Sequence, residues 1–193
     1  MKKIIFIISS FIATTFLPAQ VTTGFQWAKS FGGSTADHSN NVILDASGNI
    51  YTTGSFSGTA DFDPGAATYT LTSMGDNDIF ILKLDASGNF VWAKQIGSTG
   101  VDIGGALSID SLDNIFCVGI FSGPADFDPG INTNTLNVIG AVDSYILKLD
   151  VAGNFIWVKQ LGGVGNTYIN RCRNDAFGNT YIGGVFENTI DLD

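Results

Sequence analysis

Cysteine, histidine, proline and glutamate are all scarce in this chain. Its 193 residues hold two cysteines, one histidine and four prolines, and Glu187 is the only glutamate among eighteen acids. One histidine and two scattered cysteines cannot assemble a zinc set. There is no Gly-x-Ser-x-Gly elbow and no phosphate-binding glycine loop, so the common nucleophile and nucleotide motifs are missing. Basic residues are few as well, nine against those eighteen acids. Nucleic acid is therefore excluded as a partner, because phosphate binding needs a basic surface. An acidic shell serves solubility, and clustered Asp can bind cations. Asp, Asn and Gly favour turns whereas Glu favours helix, so the composition predicts many turns and little helix.

Long apolar runs are missing too, apart from residues 4–16. Lys2 and Lys3 precede that run, and Leu17-Pro18-Ala19 ends it with small residues suited to cleavage. The pattern reads as an export signal over residues 1–19, with Gln20 first after cleavage. The run falls short of the roughly 20 residues of a bilayer span. An uncleaved anchor is the alternative, and the abrupt end at Pro18-Ala19-Gln20 argues against it. No cysteine follows, so lipoprotein processing is unsupported. The expected product is a soluble, secreted or cell-surface protein with no membrane span after cleavage. It keeps seven basic residues against eighteen acids, a balance of −11.

What the chain does have is a repeat. Trp27, Trp92 and Trp157 recur at intervals of 65, each followed two places later by Lys29, Lys94 and Lys159. The same offset carries Asp45-Ala-Ser-Gly-Asn49 onto Asp110-Ser-Leu-Asp-Asn114 and Asp175-Ala-Phe-Gly-Asn179. It carries Gly54 onto Gly119 and Gly184, and Phe56 onto Phe121 and Phe186. Asp61-Phe62-Asp63-Pro64-Gly65 maps onto Asp126-Phe127-Asp128-Pro129-Gly130, and the third copy runs to Asp191-Leu192-Asp193. A fixed period of this kind marks a repeat architecture.

Each full repeat holds four short, β-rich runs bounded by turns, at residues 105–110, 114–121, 143–150 and 154–162 in the second copy. In the second run Ile115, Cys117 and Phe121 fall on one face, while Phe116, Val118 and Ile120 fall on the other. Both faces must be buried, as in a sheet held between sheets. Gly119 and the β-branched residues disfavour helix. Four antiparallel strands per repeat, covered on both sides by neighbours, describe a propeller blade. The rival is an open β-solenoid, whose repeats are usually shorter and parallel. The predicted fold is all-β, a β-propeller fragment of four-stranded antiparallel blades.

The run Asp-x-x-Gly-Asn, an aromatic and a Thr/Val-Gly strand, then Asp-x-Phe/Tyr-Ile-Leu-Lys-Leu and a second x-x-Gly-Asn before Trp, resembles the bacterial SBBP, or seven-bladed β-propeller, repeat family. The resemblance covers residues 25–193. It implies an extracellular or cell-surface propeller, often part of a large multidomain protein and mostly without assigned catalysis. The chain departs from the family in holding only two full repeats and half a third.

The expected domain plan is a leader at 1–19 and an incomplete propeller at 20–193. Residues 25–33 match the outer strand of a blade, 39–97 form blade one, 104–162 form blade two, and 168–193 form the first half of blade three. Such a chain would need further copies to close a ring. Cys117 and Cys172 have no Cys at equivalent repeat positions. Unpaired buried thiols are expected, and a bridge between neighbouring blades stays open.

The long loops at 57–77 and 122–142 should lie on one face, which is where a binding site belongs. The x-x-Gly-Asn turns read as structural. The Trp residues read as blade packing rather than sugar platforms, and the following Lys as guards of an exposed edge. Asp61 and Asp63, with Asp126 and Asp128, are the candidate metal ligands, because residues two apart in an extended segment put two carboxylates on one side. Hard oxygens suit calcium. The competing reading is that each Asp pair caps a Pro-Gly turn anchored by the Phe. His38, replaced by Ile103 and Tyr168 in the repeat, reads as a solvated loop residue. No catalytic residue is nominated. The functional expectation is a non-catalytic surface adhesion or ligand-binding scaffold for an extracellular protein or glycan. A carbohydrate-active enzyme, acting as glycosidase or lyase from non-repeated loops, is the alternative.

Overall fold

The computed structural model describes residues 3–7, 24 and 27–191. Among them every regular element is a β-strand. The chain opens with β1 (Lys3–Ile7) and β2 (Trp27–Gly33), paired antiparallel. Blade one follows as β3 (Asp37–Leu44), β4 (Ile50–Phe56), two short strands β5 (Thr59–Asp61) and β6 (Thr70–Thr72), then β7 (Asp78–Leu84) and β8 (Phe90–Ile96). Blade two repeats the order as β9 (Ile103–Ile109), β10 (Ile115–Phe121), β11 (Ala125–Asp126), β12 (Thr135–Leu136), β13 (Asp143–Leu149) and β14 (Phe155–Gly163). The third repeat supplies β15 (Thr167–Asn174), β16 (Thr180–Phe186) and β17 (Ile190–Asp191).

The blades are antiparallel sheets in the orders β3-β4-β7-β8 and β9-β10-β13-β14, with β15 and β16 forming the corresponding pair of the third. This is the β-propeller arrangement predicted from the 65-residue period. Both faces of a blade are covered, which explains why β4 and β7 are buried along their whole length. One face of blade one, carrying Tyr51, Ile79 and Ile81, shares a core with Leu107, Cys117, Tyr145 and Leu147 of blade two. Its other face packs Phe56, Phe80 and Leu82 against Phe31 of β2. The next junction, between blade two and β15, gathers Ala106, Val118, Ile169 and Cys172. Cys117 and Cys172 are free and buried.

Within the segment expected as a leader, the backbone of β1 sits where the third strand of a blade sits. Ile7 stands opposite Trp27, just as Lys83 stands opposite Trp92 and Lys148 opposite Trp157. The expected cleavage site Leu17-Pro18-Ala19 lies outside the described residues, as do Phe25 and the last two residues.

The strand turns are built by one device. Asp45 Oδ1 accepts the backbone N–H groups of Ser47 and Asn49, each at 2.9 Å, while Asn49 Nδ2 donates to Oδ2 at 2.8 Å. Asp85, Asp110, Asp150 and Asp175 do the same with Asn89, Asn114, Asn154 and Asn179. Hydrogen bonds of this kind favour the carboxylate. Burial alone would raise the Asp45, Asp110 and Asp150 carboxyls, yet the Asn and backbone donors outweigh it and hold them below the usual range.

Candidate functional site

The Asp-Phe-Asp-Pro-Gly loops were the chemical candidates, and the structure uses their carboxylates on the backbone. Asp61 Oδ1 accepts from the N–H of Asp63 at 3.0 Å and of Tyr69 at 2.9 Å, and Asp63 Oδ1 accepts from Gly65 N–H at 2.7 Å. In the second copy Asp126 Oδ1 accepts from Asp128 at 3.1 Å and Asn134 at 2.8 Å, and Asp128 Oδ1 accepts from Gly130 at 2.8 Å. Each pair therefore closes a loop by side-chain to backbone bonds, as turn Asp residues do. Among the described residues no three His, Cys, Asp or Glu side chains gather as a metal set. The Phe between the two acids is a buried plug. Phe62 lies 5.7 Å from Phe31, 5.2 Å from Phe56 and 5.1 Å from Phe80 between ring centres. Phe127 lies 5.3 Å from Phe121 and 4.8 Å from Tyr145.

The long loops are not free recognition arms, because each reaches back to the outer strand before it. Strand β5 pairs with the end of β2 at Gly32↔Asp61 and Gly33↔Ala60. Gly97 bridges Asp126 at the next junction, and β14 pairs with β17 at Gly162↔Asp191 and Gly163↔Ile190. Sequence patterning missed these strands because two or three residues are too short to show alternation. The loop tips stay exposed at Met74, Ile131 and Ile139.

The Trp-x-Lys motif is a junction as well. Trp92 packs edge-on to Tyr51 at 6.2 Å, and its indole N–H donates to the carbonyl of Val151 in the next blade's turn at 3.3 Å. Trp157 makes the matching ring contact with Phe116 at 5.9 Å. The expectation that the lysines guard an open edge needs correction. Lys29 and Lys94 lie over the next blade's turns, where a Cβ on Gly88 or Gly153 would meet their stems. Both glycines have φ near +77°, so the turn demands glycine and the neighbour demands its missing side chain. Each ammonium also favours the carboxylate that opens the turn it covers, Asp85 for Lys29 and Asp150 for Lys94.

Buried acids were overlooked. Asp78 and Asp143 are fully buried at the start of β7 and β13. Gln95 Nε2 donates to Asp78 Oδ2 at 2.6 Å with Met74 N–H at 3.1 Å, and Gln160 and Ile139 serve Asp143 Oδ2 at 2.6 and 2.7 Å. Among the described residues their Oδ1 atoms have no hydrogen-bond partner. Burial raises the Asp78 carboxyl, against the pull of Gln95 and Met74. Asp102, also fully buried, is raised by burial although the N–H groups of Ser98 and Ser122 donate to it. A sequence signal existed: Asp78 and Asp143 recur at the repeat interval beside Gly97 and Gly162, whose bare Cα atoms make room for them. The thiols are inert by the same physics, burial pushing Cys117 up to about 11 and Cys172 up to about 12.

Two residues that differ between repeats, Tyr168 and Arg171, line one cavity. A cavity of about 340 Å³ lies between the innermost strands, lined by Asn40, Gly105, Gly119, Tyr168, Asn170 and Arg171 among others. Positions 40, 105 and 170 are repeat equivalents, and each is the extra residue of a β-bulge in β3, β9 and β15. Asn40 Nδ2 donates to the Gly104 carbonyl at 2.9 Å, across the junction. Tyr168 replaces His38 and Ile103 of the earlier copies, and Arg171 replaces Asn41 and Ala106. Arg171 is the one charged side chain in this lining. Neither residue stood out in the sequence, because only the bulge aims them together.

No family model matches the chain. It is 25% identical over 186 residues to an uncharacterized WD repeat-containing protein of Acanthamoeba polyphaga mimivirus, covering 83% of this chain and 13% of that protein. The name given to that relative agrees with blades of four strands. The chain is also 22% identical over 110 residues to Regulatory protein FlaEY of Caulobacter vibrioides, covering 57% of this chain and 12% of that protein. It thus spans about an eighth of the length of the curated relatives it matches.

Proposed function

We propose that this chain is an exported, non-catalytic β-propeller scaffold of the SBBP repeat kind, which binds an extracellular protein or glycan at the inner-strand cavity. The carrying observation is how the repeated polar residues are used. Turn Asp residues cap backbone, Trp and Lys cover the neighbouring turn, and the loop Asp pairs close their own loops. What is left for recognition is the set that varies between copies, and Tyr168 and Arg171 belong to it. An aromatic ring beside a guanidinium and two Asn amides offers stacking together with directed hydrogen bonds, which suits a polar ligand.

Export is tested by mass spectrometry of the secreted chain, with Gln20 as the expected first residue. Binding is tested on a glycan array and on immobilised surface proteins of the producing cell. Arg171→Ala and Tyr168→Ala should each weaken the signal by at least about tenfold, or roughly 1.4 kcal/mol. An exposed loop-tip change, Ile131→Ser, should leave it intact. Equal binding by wild type and Arg171→Ala would sink the cavity as the site.

A further inference from the structure

The two junctions between successive inner strands are bridged differently. At the first, Asn40 Nδ2 donates to the Gly104 carbonyl at 2.9 Å, and Asn41 Oδ1 accepts from the N–H of Leu107 at 3.0 Å. One repeat later the pair reads Gly105-Ala106, and neither residue has a polar side chain. The carbonyl of Ile169, equivalent to that of Gly104, therefore receives no amide from residue 105. It still faces that position, because a Cβ added to Gly105 would stand 3.2 Å from its oxygen. The Val118 carbonyl oxygen at 3.2 Å and Asn170 Cα at 3.4 Å would crowd the same Cβ, so a side chain is not readily restored there.

The cavity of about 340 Å³ opens at this gap, with Gly105 and Ile169 both in its lining. Ile103 and Ile120, each half-buried, supply aliphatic surface beside them. Arg171 spends one N–H on the Asn170 carbonyl at 2.7 Å, and a guanidinium carries further donors. The lining thus combines a backbone acceptor that has lost its amide, a cationic donor, an aliphatic patch and the ring of Tyr168. An acetamido group answers the first three, having an N–H, a carbonyl oxygen and a methyl. Size favours a sugar over a protein surface. Small-molecule sites enclose about 300–1,000 Å³, whereas a stable protein contact covers roughly 800 Å² on each partner.

We propose that the cavity, read above as the ligand site, takes the acetamido group of an N-acetylated hexosamine in a glycan. The acetamido N–H donates to the Ile169 carbonyl, doing for this junction what Asn40 does for the first. Its oxygen faces Arg171, its methyl lies against Ile103 and Ile120, and the sugar ring stacks on Tyr168.

The test varies the sugar first, which leaves the fold untouched. Methyl glycosides of N-acetylglucosamine and N-acetylgalactosamine are titrated against the chain by NMR, beside those of glucosamine, glucose and galactose. The acetamido sugars should bind at least about tenfold more tightly than sugars without that group, since a site that hydrogen-bonds a group rejects analogues lacking it. Saturation transfer should be strongest at the acetyl methyl. Ile103→His installs the residue that the first copy carries at this position, His38, and should weaken the acetamido sugars to the level of the plain ones. Gly105→Asn, if it folds, should do the same by supplying the missing amide from within. Acetamido and plain sugars that bind equally, and that both weaken in Arg171→Ala, overturn the acetamido assignment while the cavity remains the ligand site. An N-acetylated peptide that binds more tightly than every sugar overturns it in favour of a protein ligand. Absence of binding by any sugar overturns it too, and a glycan-array signal indifferent to Arg171→Ala removes the cavity reading with it.

Discussion

The indole N–H of Trp92 points at the carbonyl of Val151, 3.3 Å away across a blade junction, and the ammonium of Lys83 reaches the same oxygen at 3.4 Å. One backbone acceptor on a turn thereby holds the outer and third strands of the blade before it. Replacing Trp92 by Phe keeps a ring against Tyr51 and removes only the bond, costing about 1 kcal/mol. Trp92→Ala also empties the contact and should cost about 3 kcal/mol. Urea midpoints of the two variants measure the difference, and equal losses would mean that the bond contributes nothing.

Glycine is required at 153 for two reasons and at 178 for one. Gly153 has φ of +77° and a neighbour, because an added Cβ would come within 2.8 Å of Lys94 Cε. Gly178 has φ of +88°, and among the described residues an added Cβ would meet nothing within 4 Å. Gly178→Ala should therefore cost only the left-handed backbone strain, about 1 kcal/mol. Gly153→Ala should cost more, by roughly 1 kcal/mol for displaced packing. Thermal melts that rank them the other way would refute the junction as a source of the demand.

Acid should first stabilise this protein and then unfold it. Burial raises Asp78 and Asp102 above the ordinary 3.8, so the folded form binds these protons more tightly than the unfolded chain. Stability contributed by such groups is complete below the unfolded value and is lost as pH rises through the folded one. Lowering the pH from neutral towards about 4 should thus raise the urea midpoint. Asp45, Asp85, Asp110 and Asp150 are held low, so their contribution is present above the unfolded value and is lost as pH falls through their folded values. Asp78→Asn should flatten the first limb and leave the second. A midpoint falling steadily from neutral pH in the wild type would contradict this assignment.

Asp61 and Asp126 each serve two backbone N–H groups. Asp61→Ala should cost about 1 to 2 kcal/mol, the usual range for a lost capping oxygen. Asp61→Asn keeps an acceptor and should recover most of that. With the carboxylates acting as caps, melting is unmoved by millimolar calcium or by chelator. An upward shift with calcium, cancelled in Asp63→Asn and Asp128→Asn, would instead establish the metal role.

The repeat made much of this structure readable in advance. Trp27, Trp92 and Trp157 give the register, and the alternation of Ile115 to Phe121 gives a strand buried on both faces. Strand pairing within each blade then follows from short turns. Relations between blades were harder to read. That Gly88 lies beneath Trp27, or that Asp126 bridges Gly97, joins positions 61 and 29 residues apart whose only local signal is a small residue or a turn. The burial of Asp78 is marked only by its recurrence as Asp143, because nothing local shows that Gln95 folds over it. The meeting of Arg171 and Tyr168 in one cavity was not legible for a geometric reason: a bulge at Asn170 turns the strand, and bulges carry no reliable residue code.

Because β5, β11 and β17 each reach back to a preceding outer strand, neighbouring blades overlap like roof tiles. Such a chain resists being pulled apart from its ends one strand at a time. To release a blade, tension must shear its back-reaching loop and extract its Phe plug in the same event. Extension should then arrive in jumps, each freeing one 65-residue unit of about 220 Å of contour.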